Sequence, residues 1–454
     1  MALNPKIWPQ TSSLHNGAIA IGGCDAKALA KEFGTPLFVM DEKDFLTRIE
    51  TWSSALQNAF GSQAGTVYYA AKAFISLEIA RIIDRAGIGI DVCTGGELEY
   101  AMRVGFPGER IELHGNNKSL AEITAAIDYG VGTIVVDSLI EIERVASVAK
   151  SRNRNQRVRI RLTPGVEAHT HEAISTAHED VKFGFSIASG AAWEAVLAVR
   201  AHENLELRGF HAHIGSQIFV ADGFDTSAER MIAFLARYRD EFGYELPELD
   251  LGGGYGIAYV ESDDPISAHD MMMRLKDIVT RECAKHSLAI PRISIEPGRA
   301  IVGPSMVTLY EVGTTKVVTN ENGEKKVYIS VDGGMSDNIR PALYGAHYSI
   351  ALANRESSAS LVRCRIVGKH CETGDIIISD VDLPSDIAPG DLLAVPATGA
   401  YGRSMASNYN SVPRPPVVMV KDGTARTIIR RETGADLLAL DVEEQARAIG
   451  GKSS

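Results

Sequence analysis

The sequence predicts an α/β chain: a (β/α)8 barrel followed by a mostly antiparallel β domain. Three observations lead there. From about residue 65 to 300, eight short apolar or β-branched runs alternate with segments of helical period. Those runs are almost continuously apolar, as the strands of a parallel sheet covered on both faces are. After about residue 300 the helical periods thin out, and strand-like runs punctuated by Gly, Pro, Asn and Asp take over. Eight βα units in one domain suit a closed barrel, with a doubly wound open sheet as the competing topology. The expected division is an N-terminal segment, 1–38, packing with the β domain; the barrel, 39–299; and the β domain, 300–454.

In chain order the eight runs are TVYYAA, IGIDVC, RIELHG, TIVVDS, VRIRLTPG, LELRGFHAHIG, LDLGGG and RISIEPG. Between the early ones lie SLEIARIIDRAG, GGELEYAMRVG, SLAEITAAIDYG and LIEIERVASVAK, in which apolar residues recur at helical spacing. The first run continues as VYYAAKAF, residues 67–74, which reads as a buried strand holding one charge, Lys72. A buried ammonium is costly unless it is paired or neutralised, so that lysine needs a use. In the C-terminal part the strand-like runs are KVYISVDGG, LVRCRIVGKH, GDIIISDV, LLAVPATG, PPVVMVKDG and TARTIIRRE; a short helix and a polar tail follow from about Asp441.

The chain has 454 residues, 45% hydrophobic and 23% charged, which is ordinary globular composition with room for two or three domains. Its net charge of −12 and lack of any Lys/Arg-rich run argue against a nucleic-acid or anionic-membrane partner. The start, MALNPKIWPQTSS, has no basic stretch leading into an apolar one, and no apolar run reaches membrane-spanning length. The five cysteines (Cys24, Cys93, Cys283, Cys364 and Cys371) are scattered without a CxxC pair, so neither a disulfide framework nor a structural zinc site is expected. The reading is a soluble cytoplasmic protein with reduced thiols.

A barrel of this kind builds its active site at the C-terminal ends of the strands. Lys72 lies there on strand one, Asp91 on strand two, His114 and Asn116 on strand three, and Arg161 and Thr163 on strand five. Strand six brings His211, His213 and Ser216; strand seven Gly252, Gly253 and Gly254; strand eight Glu296, Pro297, Gly298 and Arg299. Their convergence on one rim outweighs any single motif. Taken singly, each has a structural reading. Lys72 could snorkel from a strand end, His211 or His213 could be a satisfied core histidine, Asp91 and Arg161 could form a rim ion pair, and the glycines could make a tight turn. Yet the loops after strands seven and eight are the usual phosphate site of this barrel, and backbone N–H groups without Cβ atoms can wrap phosphate oxygens. GGGYGIA lacks the GxGxxG spacing of a dinucleotide fingerprint. His169 and His171 in AHTHEA read as a solvated loop, and no metal site is expected. A lysine, a phosphate cradle, a histidine and a carboxylate together suggest pyridoxal 5'-phosphate: the lysine bonds the cofactor, the carboxylate keeps its ring nitrogen protonated, and the imidazole stacks on the ring.

The motifs YAAKA around Lys72, DVCTGGELE from Asp91, HGNNKS from His114, GFHAHIGSQ from Gly209, LDLGGGYGI from Leu251, IEPGRAIVG from Ile295, IRPALYGA from Ile339, CETGD from Cys371 and ATGAYGRSMASNYN from Ala397 occur in this order. With them the chain resembles, over roughly residues 35 to 425, the fold-type III pyridoxal-phosphate decarboxylases and, within them, the diaminopimelate decarboxylases. The resemblance implies an alanine racemase/ornithine decarboxylase-like fold and decarboxylation of meso-2,6-diaminopimelate to L-lysine and CO2. Lys72 would hold the cofactor as a Schiff base, His213 would stack on its ring, and Glu296 would pair with the pyridinium nitrogen. Ser216, Gly252 to Gly254, Arg299 and Tyr401 would lie near the phosphate or the substrate. Arg340 and Tyr344, helped by Arg299, would hold the substrate's distal carboxylate. Cys371 would return a proton to carbon, and Glu372 would bind the distal ammonium. The last two would enter the site from the partner subunit, so a homodimer with shared active sites is implied. Polyamine-type relatives lack IRPALY, which favours diaminopimelate over ornithine, lysine, arginine or carboxynorspermidine as substrate; a non-catalytic homologue should have lost Lys72 or Cys371. Two departures stand out: Phe74 where the family often has Asn, and Gly368-Lys369-His370 where it often has Gly-Pro before the cysteine. The polar segment from Glu167 to Asp180 is a candidate lid.

Overall fold

The short, apolar, β-branched runs do what their composition requires: they bury both faces and pair in parallel. The structure, a computed structural model, describes residues 3–165, 182–319, 321–323 and 325–442. The candidate lid, with His169 and His171, lies outside the described residues. The chain divides into two compact units: one of residues 46–257 and 263–302, the other of 258–262 with the stretches up to Phe45 and from Gly303 onward.

In the first unit the eight barrel strands are β1 (Ala64–Ala70), β2 (Gly89–Val92), β3 (Ile111–Leu113), β4 (Thr133–Val136), β5 (Gln156–Thr163), β6 (Leu205–His211), β7 (Glu248–Asp250) and β8 (Arg292–Ile295). Each pairs in parallel with the next, and β8 returns to β1 with Ile295 opposite Val67, so the barrel closes. Closure excludes the open doubly wound sheet. Each strand is followed by a helix: α1 (Leu77–Arg85), α2 (Gly95–Arg103), α3 (Leu120–Tyr129), α4 (Leu139–Ser151), α5 (Ala191–Arg200), α6 (Asp222–Phe242), α7 (Ala268–Lys285) and the short α8 (Arg299–Val302). Ser76, Thr94, Ser119, Ser138 and Ser267 accept from backbone N–H groups in the first turns of α1 to α4 and α7. Each such cap stabilises a helix start by about 1 kcal/mol and fixes where the strand hands over to the helix. Those handovers are the rim on which the site is built.

The second unit is a mixed, mainly antiparallel sheet. Its hub is Met306–Thr319, a strand absent from the expected runs. It pairs antiparallel with Leu37–Asp41, Lys325–Val331 and Leu392–Val395. Two parallel pairings extend the sheet, Lys325–Val331 with Leu361–Val367 and Leu37–Asp41 with Val417–Lys421, and Ile376–Pro384 and Thr424–Ile429 add antiparallel at its two ends. The hub is hard to read because its first half is buried on both faces, its second half is exposed, and a register shift at Gly313 separates them.

Candidate active site

Strand β1 stops at Ala70, and Lys72 stands in the 3-10 turn Ala71–Ala73, partly buried. This corrects the expectation of a lysine inside a buried strand: the chain leaves the sheet before the charge arrives, which lowers the cost of holding it. The turn is pinned by the Tyr69 hydroxyl, which donates to the Phe74 carbonyl at 2.6 Å. Phe74, the residue that departs from the family pattern, is buried beneath it. A side chain at Gly298 would press on Ala70 and Ala73, so the β8 loop lies directly against the lysine turn.

Glu296 follows β8 and is buried between two histidines. Its Oε1 lies 3.0 Å from His211 Nε2 and 3.3 Å from His114 Nε2. Burial pushes His114 down to about 4, although Asp91 and Glu296 pull the other way. Burial, then the charges of Arg161 and Arg159, push His211 well below its ordinary value. Both rings are therefore neutral near pH 7, and Glu296 Oε1 has no hydrogen-bond partner. Asp91 is fully buried; burial raises its pKa against the pull of His114 and Lys72. Its neighbours are the Cys93 thiol at 3.6 Å and His114 at 3.8 Å. The Asp91–Arg161 ion pair weighed from sequence does not form: Arg161 sits 3.8 Å from Asp137 and over the Phe183 ring.

His213, on the loop after β6, accepts from the Gly253 N–H through Nδ1 at 3.3 Å. Burial, then the charges of Lys72 and Arg161, push its pKa well down, so the ring is neutral with its proton on Nε2. Backbone packing explains the three glycines. A Cβ at Gly252, Gly253 or Gly254 would run into the carbonyl oxygens of Ala212, Glu296 and Gly215, and Gly252 and Gly254 have positive φ of 70° and 107°. Two of the N–H groups expected to face phosphate are already used, Gly252 by Asp250 at 2.8 Å and Gly253 by His213. The Gly254 N–H makes no hydrogen bond among the described residues. Ser216 accepts from Arg299 Nη2 at 2.8 Å, which sets that guanidinium beside the same loop. Pro297 and Gly298, both buried, link it to Glu296.

Beneath the rim lies a group the sequence reading passed over. Arg159 on β5 bonds Glu112 on β3, Asp250 on β7 at 3.0 Å and Glu248 at 3.0 Å. Burial opposes its charge, but the three carboxylates hold the guanidinium cationic. Asp250 in turn fixes Gly252. The signal was present, since Glu112, Arg159 and Asp250 are charges inside otherwise apolar strands; attention to strand ends alone missed them.

In the second unit, Arg340 opens the helix Arg340–Tyr344 and is 5% exposed. It donates to the Tyr348 hydroxyl, and its guanidinium carbon lies 4.7 Å from the Tyr259 ring centre and 5.5 Å from that of Tyr348. Its Nε has no hydrogen-bond partner. Tyr344 is partly buried on the same helix, and the Tyr401 phenol interacts with the Arg340 charge. Tyr259 and Tyr348 carry no motif of their own and were not singled out from sequence. Cys371 and Glu372 are exposed on the loop between Leu361–Val367 and Ile376–Pro384.

The barrel rim fits pyridoxal 5'-phosphate. A buried carboxylate oxygen without a donor, Glu296 Oε1, suits a protonated ring nitrogen. A neutral, partly exposed imidazole suits stacking, and the Gly254 N–H with the Arg299 guanidinium suits a phosphate.

Residues 43–303 match the family model described as pyridoxal-dependent decarboxylase, pyridoxal binding domain. The diaminopimelate decarboxylase of Mycobacterium tuberculosis is 53% identical over 445 residues, covering 97% of this chain and 98% of that one. That of Bacillus subtilis is 44% identical over 427 residues, covering 94% and 96%. The crystal structure of the M. jannaschii diaminopimelate decarboxylase in complex with L-lysine superposes with a TM-score of 0.88 at 32% identity, covering 96% of this chain and 98% of that one. With the rim geometry, these likenesses place the chain in the pyridoxal-dependent decarboxylases, as a member of the diaminopimelate decarboxylase family.

Proposed function

We propose that the protein removes CO2 from meso-2,6-diaminopimelate and releases L-lysine, with the barrel rim holding pyridoxal 5'-phosphate. The bound cofactor supplies an electron sink for the pair of electrons left when the carboxylate departs. Lys72 holds it covalently, Glu296 faces its ring nitrogen, and His213 lies against the ring as a neutral imidazole. Gly254, Ser216 and Arg299 serve the phosphate end, while Gly252 and Gly253 keep that loop in shape. Asp91, whose pKa burial raises, interacts electrostatically with Lys72.

Substrate choice rests on one observation, the buried Arg340. Its guanidinium is packed against Tyr259 and Tyr348, yet it has an unbonded N–H and no carboxylate in an ion pair among the described residues. A planar cation in that state suits a carboxylate held by two hydrogen bonds. Diaminopimelate offers one at its distal end. Ornithine, lysine and arginine do not, and would leave the arginine unsatisfied. Tyr344 and Arg299 assist at that carboxylate, Glu372 takes the distal ammonium, and the Cys371 thiol returns the proton to carbon on the face away from His213. Exposure of Cys371 and Glu372 in the single chain supports a homodimer, with the partner subunit's Cys371 and Glu372 completing each site.

The test is CO2 release from purified, cofactor-loaded protein given meso-diaminopimelate, L-ornithine, L-lysine or L-arginine. Release from diaminopimelate alone, with lysine appearing, is expected. Release from ornithine or lysine instead would leave Lys72 and the cofactor in place and overturn the role of Arg340.

A further inference from the structure

His370, the last residue of the Gly368-Lys369-His370 stretch that departs from the family pattern, has a specific place in the fold. It is 8% exposed although its neighbours Lys369 and Cys371 are exposed. Nδ1 lies 3.0 Å from Asn410 Oδ1 and Nε2 lies 2.8 Å from Ser336 Oγ. An amide oxygen only accepts, so Nδ1 carries the proton and Nε2 accepts from the serine hydroxyl. The backbone N–H of His370 donates to Asp375 Oδ2 at 2.8 Å, and Asp375 Oδ1 accepts from the Met335 N–H at 2.6 Å. The ring tilts against Tyr409 at 5.3 Å. The Ser407 N–H donates to the Ser336 carbonyl at 2.9 Å, so the partner segments are also tied to each other.

The three segments joined at this ring are those assigned to the site in this unit. Ser336 stands four residues before Arg340, His370 directly precedes Cys371, and Asn410 lies nine residues after Tyr401.

We infer that His370 is a positioning residue: it clips the Cys371 loop to the Ser336 and Asn410 segments of its own chain and thereby sets the pose in which that loop presents the Cys371 thiol to the partner subunit's site. The inference rests on the proposed role of Cys371 for its effect on turnover, but not for its effect on the loop.

The experiment compares the parent holoenzyme with His370→Phe, His370→Gln and Cys371→Ala. Two quantities are read: kcat and KM for diaminopimelate, and the rate at which iodoacetamide alkylates Cys371, followed by peptide mass. His370→Phe keeps the ring on Tyr409 but loses both nitrogens. It is expected to lower kcat about 10- to 100-fold, the scale of a small misplacement of a reacting group, with KM and the cofactor's visible band little changed. Its Cys371 alkylation rate is expected to shift by roughly threefold or more, and His370→Gln, which can bond both partners, is expected to restore most of both readouts. Parental kcat and parental alkylation in His370→Phe, while Cys371→Ala loses turnover, would overturn the inference. Should Cys371→Ala keep turnover, the acid role of Cys371 fails and alkylation decides alone: a shift sustains the positioning role and no shift overturns it. If His370→Phe does not fold, Ser336→Ala, which deletes one hydroxyl, is measured in its place against the same outcomes.

Discussion

Glu296 faces two histidines that burial keeps neutral, and this has a measurable consequence for His114. Unfolded, its pKa is the ordinary 6.5 or so; folded, it is about 4. Below pH 6.5 the unfolded chain takes up a proton that the folded one refuses. The contribution is thus fully present above pH 6.5 and is lost as pH falls toward 4. Urea unfolding of the parent and His114→Gln at pH 7, 6 and 5 is expected to show the parent's relative stability dropping by up to about 1.4 kcal/mol per pH unit below 6.5. A difference that stays flat would mean the folded ring takes up its proton over the same pH range as the unfolded one. Arg340 gives a second test at this scale. Arg340→Ala is expected to lower kcat/KM for diaminopimelate by about 100-fold or more while the visible band from Lys72 remains, because the loss is a charged hydrogen-bonding partner rather than a cofactor contact. Tyr348→Phe, which removes only the hydroxyl that Arg340 donates to, is expected to cost about tenfold. Loss of the cofactor band in either variant would place Arg340 in cofactor binding instead.

Strands meet so closely in this barrel that single glycines decide whether neighbours can pair. Gly209 on β6 lies opposite Glu248 on β7, and a Cβ there would run into the Glu248 carbonyl oxygen. Gly209→Ala is expected to destabilise the barrel by about 1–3 kcal/mol through forced backbone movement, measured as a lower urea midpoint. An unchanged midpoint would mean the two strands separate freely at this pair. The motif GFHAHIGSQ therefore holds residues of two kinds: Gly209 serves the wall, and His213 and Ser216 serve the rim. The hub strand Met306–Thr319 makes the complementary point. Its pairings with three other strands give it its place in the second unit, and no local period announces it.

For the whole molecule, the proposed shared sites predict complementation. Lys72→Ala and Cys371→Ala are each expected to be inactive as homodimers. Mixed under conditions that exchange subunits, half the dimers are heterodimers with one intact site, so about a quarter of parental activity is expected to return. No recovery despite demonstrated exchange would mean that each site draws both residues from one chain.

Much of this was legible in the sequence because it depends on local rules. Parallel strands buried on both faces must be continuously apolar, helices must alternate with them, and charged or glycine residues at strand ends are out of place in a core. That logic led to Lys72, Asp91, His213, Gly252 to Gly254, Glu296 and Arg299. Tertiary structure alone decided what each one touches. The fold took Lys72 out of its strand, separated Arg161 from Asp91, and spent the N–H groups of Gly252 and Gly253 inside the protein. It also gathered Arg159 with carboxylates 47, 89 and 91 residues away, and drew His370 onto Ser336 and Asn410. The reason is range: apolar period and turn chemistry act between neighbours in the chain, whereas a buried charge or imidazole takes its partners from whichever strands and loops closure brings within hydrogen-bond distance.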